Sequence, residues 1–237
     1  MIDLHAHILP GIDDGASDIS KSVDLIRELA GVGVTDAFVT PHFVDETIYT
    51  SSRAHNLELL SEVQNQAALS GLNVKLRIGN EIYITPKILE YLETGLISTL
   101  GGSSYILVEL PMSGDFPGYE DIFLALIRAG YHVVLAHPER YTSFQDDFGL
   151  IYNLRDMGVL FQSNVGSFAG QYGKTVFKMV RRLAKERMIF AMGSDIHHVR
   201  PGLLADGLKR LGKFYKGAEL DEILVGNPGK IVGESGD

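Results

Sequence analysis

Cysteine is absent from the 237-residue chain, and basic side chains are scarce in it. Without cysteine there is no disulfide, no thiolate metal site and no cysteine nucleophile, so a catalytic site would need metal ions or another side chain. The 21 Lys and Arg residues stand against 30 Asp and Glu residues, which gives a net charge of −9. This balance argues against a nucleic-acid partner, because affinity for a phosphate backbone comes mainly from Lys and Arg.

Long hydrophobic segments are also missing. No apolar run approaches the roughly 18 residues of a membrane span, and the N-terminus lacks the basic and apolar segments of a secretory signal. We therefore expect a cytoplasmic protein without membrane insertion. Because no repeat, low-complexity segment or linker interrupts the chain, we expect one domain over residues 1–237, frayed at residues 233–237.

Seven short apolar runs alternate with helical patterns along the chain. They lie at residues 1–7, 34–40, 74–79, 105–108, 132–136, 158–162 and 188–192. Such alternation predicts parallel strands joined by right-handed crossovers. Polar residues typical of functional sites end every run, whereas an open doubly wound sheet concentrates its site at one switch point. We therefore predict an α/β fold of the distorted (β/α)7 barrel type.

The first run ends in His5-Ala6-His7. Side chains of a strand alternate between faces with period two, so His5 and His7 point to the same side and their imidazoles converge. One such pair is weak evidence for a site, but polar residues recur at the ends of the later runs. With the first loop included, the set is His5, His7, Asp13, Asp14, His42, Glu81, Glu109, His137, Asp195 and His197.

Five histidines and at least four carboxylates in this set would share one rim. So many titratable groups are compatible only with cations among them. Imidazole and carboxylate without sulfur suit Mn, Fe or Zn, and Glu81 and Glu109 are candidates to bridge several ions. The remaining histidines, His55, His132 and His198, do not follow this pattern, and we interpret them as packed or solvated.

Two arginines follow rim histidines at the same spacing. Arg140 comes three residues after His137, and Arg200 comes three residues after His197, so both should overhang the rim. A guanidinium group is a planar fork that suits phosphate oxygens and stays charged at any working pH. An acidic rim neutralised by metal ions and flanked by two arginines suits a phosphate monoester.

The motifs at the ends of the runs resemble those of the polymerase and histidinol phosphatase (PHP) superfamily. They are His5-Ala-His7, Pro41-His42, Gly79-Asn-Glu81, Val108-Glu-Leu-Pro111, His137-Pro-Glu-Arg140 and Ser194-Asp-Ile-His197. Together with Leu9-Pro-Gly-Ile-Asp-Asp-Gly15, they are similar to the manganese-dependent bacterial protein-tyrosine phosphatases of the CpsB/YwqE type. Those enzymes are encoded with capsule and exopolysaccharide genes.

The resemblance implies a PHP-type barrel with up to three Mn²⁺ ions. The implied ligand sets are His5, His7, Glu81 and Asp195 for one ion, Glu81, Glu109 and His137 for a second, and Asp14, His42 and His197 for a third. Asp13 stays open as an alternative to Asp14. Arg140 and Arg200 match phosphate-binding arginines, and a metal-bridged hydroxide would attack phosphorus. The implied partners are a phosphotyrosine protein and a tyrosine autokinase of polysaccharide export. Glu139 as a proton donor and the oligomeric state stay open.

Three other functions compete with this interpretation. A PHP phosphoesterase for a small metabolite such as histidinol phosphate would use the same metals and differ in its rim loops. Those loops, at residues 47–53 and 112–119, are modest in length and contain no obvious lid, which favours a macromolecular substrate. An amidohydrolase typically adds a ligating lysine after a middle strand, and no lysine occupies a strand end here. A non-catalytic scaffold is disfavoured because every expected ligand position is filled.

Overall fold

Parallel strands form the centre of the protein, and a computed structural model describes residues 1–114 and 116–234. Within these residues the strands are Ile2–Ala6 (β1), Asp36–Val39 (β2), His42–Phe43 (β3), Lys75–Ile78 (β4), Glu81–Tyr83 (β5), Tyr105–Glu109 (β6), His132–Leu135 (β7), Leu160–Asn164 (β8) and Ile189–Gly193 (β9). They form a three-stranded sheet of order β1-β2-β4 and a six-stranded sheet of order β3-β5-β6-β7-β8-β9. All pairings are parallel, which confirms the predicted α/β class.

The chain passes from the first sheet to the second at the ends of the second and third predicted runs, where β3 follows β2 and β5 follows β4. Pro41 separates β2 from β3, and its missing N–H removes one donor from the ladder. The Pro41 carbonyl accepts hydrogen bonds from the backbone N of Glu81 (3.1 Å) and from Asn80 Nδ2 (3.1 Å). The third run therefore continues beyond Gly79 as β5, and it brings Glu81 beside His42.

The last strand returns to the first at the end where the candidate site lies. Ala6 and Ile196 form an isolated parallel bridge. The backbone N of His7 donates to the Ile196 carbonyl (3.1 Å), and the backbone N of Asp195 donates to the His5 carbonyl (2.8 Å). These backbone hydrogen bonds come from residues that follow β9, and they hold the end of β1 beside the segment that begins at Ser194.

Helices pack around the strands. They are Ile19–Gly31 (α1), Arg53–Leu69 (α2), Ile88–Glu93 (α3), Tyr119–Arg128 (α4), Thr142–Asp146 (α5), Gly149–Asp156 (α6), Val165–Ala169 (α7), Gly173–Lys185 (α8), Leu203–Leu211 (α9), Ala218–Asp221 (α10) and Asn227–Glu234 (α11), with a π-helix at Glu222–Gly226. Among the described residues, no helix combines the length and the apolar character that crossing a membrane requires.

The last described residues are the first two of the segment that is expected to be frayed. Gly233 and Glu234 belong to α11, and Glu234 Oε2 accepts a hydrogen bond from the Ser104 hydroxyl (2.6 Å). Residues 235–237 lie outside the described part of the chain.

Alternation along the strands separates two buried clusters. On β6, Ile106 and Val108 pack in the larger cluster under the helices, whereas Leu107 packs with Val134 of β7 in a smaller inner cluster. Successive side chains of a strand point to opposite faces. Glu109 therefore lies on the same face as Leu107, at the C-terminal end of β6. The fold thus presents an inner apolar layer with titratable residues above it.

Candidate metal centre

Most of the predicted rim residues converge on one buried carboxylate at the C-terminal ends of the strands. Glu81 Oε2 lies 3.2 Å from His5 Nε2, 3.3 Å from His7 Nε2 and 3.0 Å from His42 Nδ1. Glu81 Oε1 lies 2.8 Å from His137 Nε2. Glu81 is fully buried, so water does not separate these charges.

The outer nitrogens of His5 and His7 fix how both rings face this cluster. His5 Nδ1 lies 3.0 Å from Gln162 Oε1, which also accepts a hydrogen bond from the backbone N of His137 (3.3 Å). His7 Nδ1 lies 2.8 Å from Asp13 Oδ2. Because both partners are acceptors, each Nδ1 carries a proton and each neutral ring turns an Nε2 lone pair inward.

Two inward lone pairs require a positive charge between or beside them. His5 Nε2 and His7 Nε2 are only 3.0 Å apart. Burial lowers the pKa of His5, but the charges of Glu81 and Asp195 outweigh burial and raise that pKa above its ordinary value. Burial likewise lowers the pKa of His7, while Asp13 and Glu81 raise it well above the ordinary value. The cluster therefore stabilises added positive charge, supplied either by protons or by a cation.

The pKa values of the two candidate bridging carboxylates, Glu81 and Glu109, shift in opposite directions. Burial raises the pKa of Glu81, but His5 and His42 outweigh burial and hold this pKa well below its usual range. Burial, followed by the charges of Glu81 and Asp195, raises the pKa of Glu109 to about 9. A cation between Glu81 and Glu109 would relieve their repulsion, which is the arrangement expected of a bridging pair.

Three overlapping groups of side chains could each hold a metal ion. The groups are His5, His7 and Glu81; His42, Glu81 and Glu109; and His7, Asp14, His42 and His197. Glu81 Oε2 and His42 Nδ1 are buried and have no hydrogen-bond partner among the described residues, although they lie 3.0 Å apart. Facing acceptors of this kind fit a cation, and the nitrogen and oxygen donor set suits Mn, Fe or Zn.

The grouping differs from the implied ligand sets at His42, His137 and Asp195. His42 joins both Glu81 and Glu109, whereas it was expected only with Asp14 and His197. His137 Nε2 lies 3.7 Å from Glu109 Oε1, close to the expected second set but outside the three compact groups. Asp195 Oδ1 lies 3.6 Å from His5 Nε2, at the edge of the first group.

Asp13 and Asp14 occupy different positions, which bears on the alternative left open by the sequence. Asp13 uses both carboxylate oxygens within the protein, accepting from His7 Nδ1 (2.8 Å) and from the backbone N of Gly15 (3.0 Å). Asp14 Oδ1 is 3.2 Å from His197 Nε2 and 3.5 Å from His42 Nε2. Asp14 thus faces the candidate ion position, whereas Asp13 orients His7.

Arg140 and Arg200 both line a cavity of about 400 Å³ above the cluster, and Arg140 also contacts Asp195 of the cluster. Arg140 Nη1 donates to Asp195 Oδ2 (2.9 Å), and its guanidinium lies 4.5 Å from the centre of the Tyr172 ring. Arg200 is exposed, and its backbone N–H donates to Glu28 Oε2 (3.0 Å). The Arg140 fork is therefore held in place, whereas Arg200 stands at the outer edge.

Strand β8 contributes two buried amides that the sequence analysis missed. Gln162 Nε2 donates to Asn164 Oδ1 (2.8 Å), and Asn164 Nδ2 donates to Asp195 Oδ2 (2.6 Å). This chain of hydrogen bonds links His5 to Asp195 and leaves Asp195 Oδ1 facing the histidines. The predicted strand ended at Gln162. Extending it by two residues would have placed Gln162 and Asn164 on one face and revealed the pair.

Two rim residues adopt a backbone conformation that is unusual for a residue with a side chain. His137 has φ of 31° and Asp195 has φ of 51°. Left-handed conformations of this kind cost about 1–2 kcal/mol per residue and persist only when the surroundings hold them. The hydrogen bonds from the backbone N of His137 to Gln162 and from the backbone N of Asp195 to His5 provide that support.

The other titratable residues considered from the sequence belong to none of the candidate metal groups, although His198 lines the cavity beside His197. Glu139 is fully buried, its Oε1 accepts from the backbone N of Asn164 (2.8 Å) and from the Ser167 hydroxyl (2.7 Å), and it does not line the cavity. It therefore supports the turn after His137 rather than facing a substrate. The histidines interpreted as packed or solvated, His55, His132 and His198, belong to none of the three candidate groups.

A parallel α/β fold with imidazoles and carboxylates gathered at the strand ends defines a class of barrel-like proteins with a candidate metal centre on one rim. Within this class, the chain belongs to the capsular polysaccharide synthesis CpsB/CapC family, whose family model matches residues 1–233. The family resemblance inferred from the motifs is confirmed.

Named relatives and a solved structure agree with this membership. The chain is 30% identical to a putative tyrosine-protein phosphatase CapC of Staphylococcus aureus over 237 residues, which covers 98% of this chain and 91% of the relative. It is 32% identical to the tyrosine-protein phosphatase YwqE of Bacillus subtilis strain 168 over 201 residues, 84% of this chain and 78% of the relative. A crystal structure from work on YwqE of B. subtilis and CpsB of Streptococcus pneumoniae, described as unique metal-dependent tyrosine phosphatases, matches with a TM-score of 0.92. It shares 29% identity and covers 100% of this chain and 96% of that chain.

Proposed function

We propose that this protein is a metal-dependent phosphotyrosine-protein phosphatase that controls capsule or exopolysaccharide synthesis. The observation that carries the proposal is the convergence of three histidines, His5, His7 and His42, on one buried oxygen of Glu81. The relative at 32% identity is named a tyrosine-protein phosphatase and the one at 30% a putative tyrosine-protein phosphatase, and the family is one of capsular polysaccharide synthesis.

The proposed ligands are the rim side chains, and the proposed metal is Mn²⁺. They are His5, His7, Asp14, His42, Glu81, Glu109, His137, Asp195 and His197, enough for up to three ions. Divalent cations held there would lower the pKa of bound water and neutralise phosphoryl oxygens. The mixture of imidazole and carboxylate donors supports Mn²⁺, and the same donors would also accept Fe or Zn.

Arg140 would bind the phosphoryl group of the substrate. Its guanidinium is held between Asp195 and the Tyr172 ring, and it faces the cavity above the cluster. A guanidinium fixed in this way donates to two phosphoryl oxygens at once and opposes the charge that spreads over them in the transition state. Arg200, at the outer edge of the same cavity, would make the second contact with the phosphate.

A strong proton donor is not required for this reaction. The leaving group is a phenolate, whose conjugate acid has a pKa of about 10, so it departs more easily than an aliphatic alkoxide. This agrees with the position of Glu139, which is buried away from the cavity.

The proposed substrate is a tyrosine-phosphorylated protein, with a bacterial tyrosine autokinase as the candidate partner. The loops predicted to border the rim, at residues 47–53 and 112–119, are modest in length, which supports a macromolecular substrate. Protein phosphotyrosine is formed with ATP, and the cytoplasm is therefore the proposed site of action.

Comparing two substrates tests the proposal. We expect the chelated protein to be inactive, Mn²⁺ to restore turnover of a phosphotyrosine peptide, and histidinol phosphate to be turned over much more slowly. His42→Ala should lower peptide turnover by orders of magnitude, whereas the matched variant His55→Ala should not. Full activity after exhaustive metal removal would reject the metal-dependent mechanism, and preference for histidinol phosphate would indicate a small-metabolite phosphatase.

A further inference from the structure

The surface formed by helices α8 and α9 is basic in an otherwise acidic protein. Residues 173–216 contain eleven Lys and Arg residues against three Asp and Glu residues, although the whole chain has 21 against 30. On α8, Lys174, Lys178, Arg181 and Lys185 recur at three- and four-residue spacing and are all exposed. The opposite face of α8 is buried, so the basic residues form its outer face.

A groove of about 420 Å³ lies between these two helices. We call it the α8–α9 groove, and its lining residues are Phe177, Arg181, Asp206, Lys209, Arg210, Lys213 and Phe214. The Arg181 guanidinium lies 5.3 Å from the centre of the Phe177 ring and 5.8 Å from that of Phe214. The groove thus combines an aromatic floor with a basic edge.

Most of the basic residues in the groove lack an acidic partner within the protein. Arg210 is paired with Asp206 at 2.9 Å. Within residues 1–114 and 116–234, no carboxylate forms an ion pair with Arg181, Lys209 or Lys213. Three positive charges around an aromatic floor are therefore available to an anionic partner.

The groove begins close to the mouth of the candidate catalytic cavity. Tyr172, which precedes α8, and Leu203, the first residue of α9, both line that cavity. Phe177 and Arg181 lie five and nine residues beyond Tyr172. At about 1.5 Å per helical residue they stand roughly 8 to 14 Å along α8. An extended peptide advances about 3.3 Å per residue, so it would cover that distance in roughly two to four residues.

We propose that the α8–α9 groove binds acidic residues of the substrate polypeptide, about two to four positions from the phosphotyrosine. This inference rests on the proposed function and adds a substrate class to it. Carboxylates of the peptide would pair with Arg181, Lys209 and Lys213, and an apolar side chain would pack on Phe177. Outside residues 173–216 the chain carries ten Lys and Arg against 27 Asp and Glu, and this net negative charge disfavours binding of an acidic segment there.

Paired phosphotyrosine peptides test the proposal with the metal-loaded, full-length protein. One peptide carries Glu at the second to fourth positions from the phosphotyrosine, and the other carries Gln at the same positions. We expect KM for the Glu peptide to be about tenfold lower, as several exposed charge pairs together allow. Lys209→Glu/Lys213→Glu should remove this preference. The control Arg128→Glu/Arg155→Glu, which makes the same charge change on α4 and α6, should retain it.

Two further measurements separate failure of this inference from failure of the proposed function. Hydrolysis of p-nitrophenyl phosphate should be unchanged by Lys209→Glu/Lys213→Glu, because this substrate reaches only the catalytic cavity. The unphosphorylated Glu peptide, followed by fluorescence anisotropy, should bind the native protein more tightly than the groove variant, and about 0.5 M salt should abolish the difference.

Each outcome supports or overturns the proposal. If no phosphate ester is hydrolysed, the proposed function fails and the anisotropy titration still decides on the groove. Equal KM values and equal binding for the Glu and Gln peptides would overturn the proposal. Binding to phosphatidylglycerol vesicles that is lost in the groove variant, without any difference between the peptides, would overturn it in favour of a membrane partner.

Discussion

The candidate metal centre and the α8–α9 groove both concentrate charge, but they place it in different surroundings. Around Glu81, nitrogens of four buried or largely buried histidines lie 2.8 to 3.3 Å from the carboxylate oxygens. Lys209 and Lys213, by contrast, are exposed on the outer surface. Electrostatic interactions are strong where water is excluded and weak where water and salt screen them. A single substitution should therefore abolish the function of the first region but only adjust that of the second.

The largest effect is expected for Glu81→Gln. The amide cannot neutralise cations, and its Nε2 donors would face His5 and His7. We expect turnover of a phosphotyrosine peptide to fall about 10³-fold, because several kcal/mol of charge stabilisation are lost, and we expect bound Mn²⁺ to fall in elemental analysis.

The matched control is Glu62→Gln, an equivalent change on the exposed surface of α2. It should leave both turnover and metal content unchanged. A Glu81→Gln protein that kept its Mn²⁺ and its activity would show that the buried carboxylate is not the centre of the site.

The next largest effect is expected for the pH dependence of Mn²⁺ binding, because protons compete with the metal for its ligands. Because the pKa values of His5 and His7 are raised and that of Glu109 is raised to about 9, protons compete with cations for these groups in the metal-free protein. Cations bind the deprotonated forms, so Mn²⁺ affinity should increase from pH 6 to pH 8 and binding should release at least about one proton.

The raised pKa values of His5 and His7 also determine how the stability of the metal-free protein changes with pH. A raised histidine pKa stabilises the metal-free fold below the unfolded pKa of about 6.5, and this stabilisation is lost as pH rises through the folded value.

Calorimetry in buffers of different ionisation enthalpy measures the protons released when Mn²⁺ binds. Mn²⁺ affinity that did not vary with pH would contradict the proton competition inferred for this cluster.

An intermediate effect is expected for Gln162→Leu, which removes the acceptor of His5 Nδ1 and the donor to Asn164. Residues that orient metal ligands through hydrogen bonds typically contribute about 10- to 100-fold in affinity. We expect a loss of Mn²⁺ affinity in this range by titration calorimetry.

Gln64→Leu is the matched control, because Gln64 also makes two hydrogen bonds, to Val74 and Leu76, but lies on α2 away from the rim. It should lower thermal stability and leave Mn²⁺ affinity unchanged. Equal loss of affinity in both variants would assign the effect of Gln162→Leu to general destabilisation.

The smallest effect is expected for Lys213→Ala in the groove. A single exposed charge pair contributes little, so KM for the acidic phosphotyrosine peptide should rise by no more than about threefold. Steady-state kinetics at low salt measures the change. A loss comparable to that of Glu81→Gln would mean that Lys213 acts at the catalytic centre rather than at a docking surface.

Much of the site could be predicted because it lies where strands end. His5, His7, Glu109 and His137 follow from the alternation of side chains and from the shared direction of parallel strands. The structure places these four side chains around Glu81. The family resemblance, carried by the same motifs, is also confirmed.

The remaining features depend on contacts between distant segments. Only the folded chain distinguishes Asp13, which bonds to His7, from Asp14, which faces His197. The sequence does not predict the paired amides of Gln162 and Asn164, because the apolar run ends at Gln162 whereas β8 continues to Asn164. The third predicted run likewise ends before Glu81, because Asn80 interrupts the apolar pattern. The sheet nevertheless continues, since Asn80 Nδ2 donates to the Pro41 carbonyl and β5 begins at Glu81.

Anomalous diffraction at the manganese edge, from crystals of the protein supplied with Mn²⁺, tests the central claim most directly. We predict anomalous peaks within the cluster, with one bordered by His5, His7 and Glu81 and another bordered by His42 and Glu109. Absence of anomalous signal among these side chains, in protein that hydrolyses phosphotyrosine, would contradict the account.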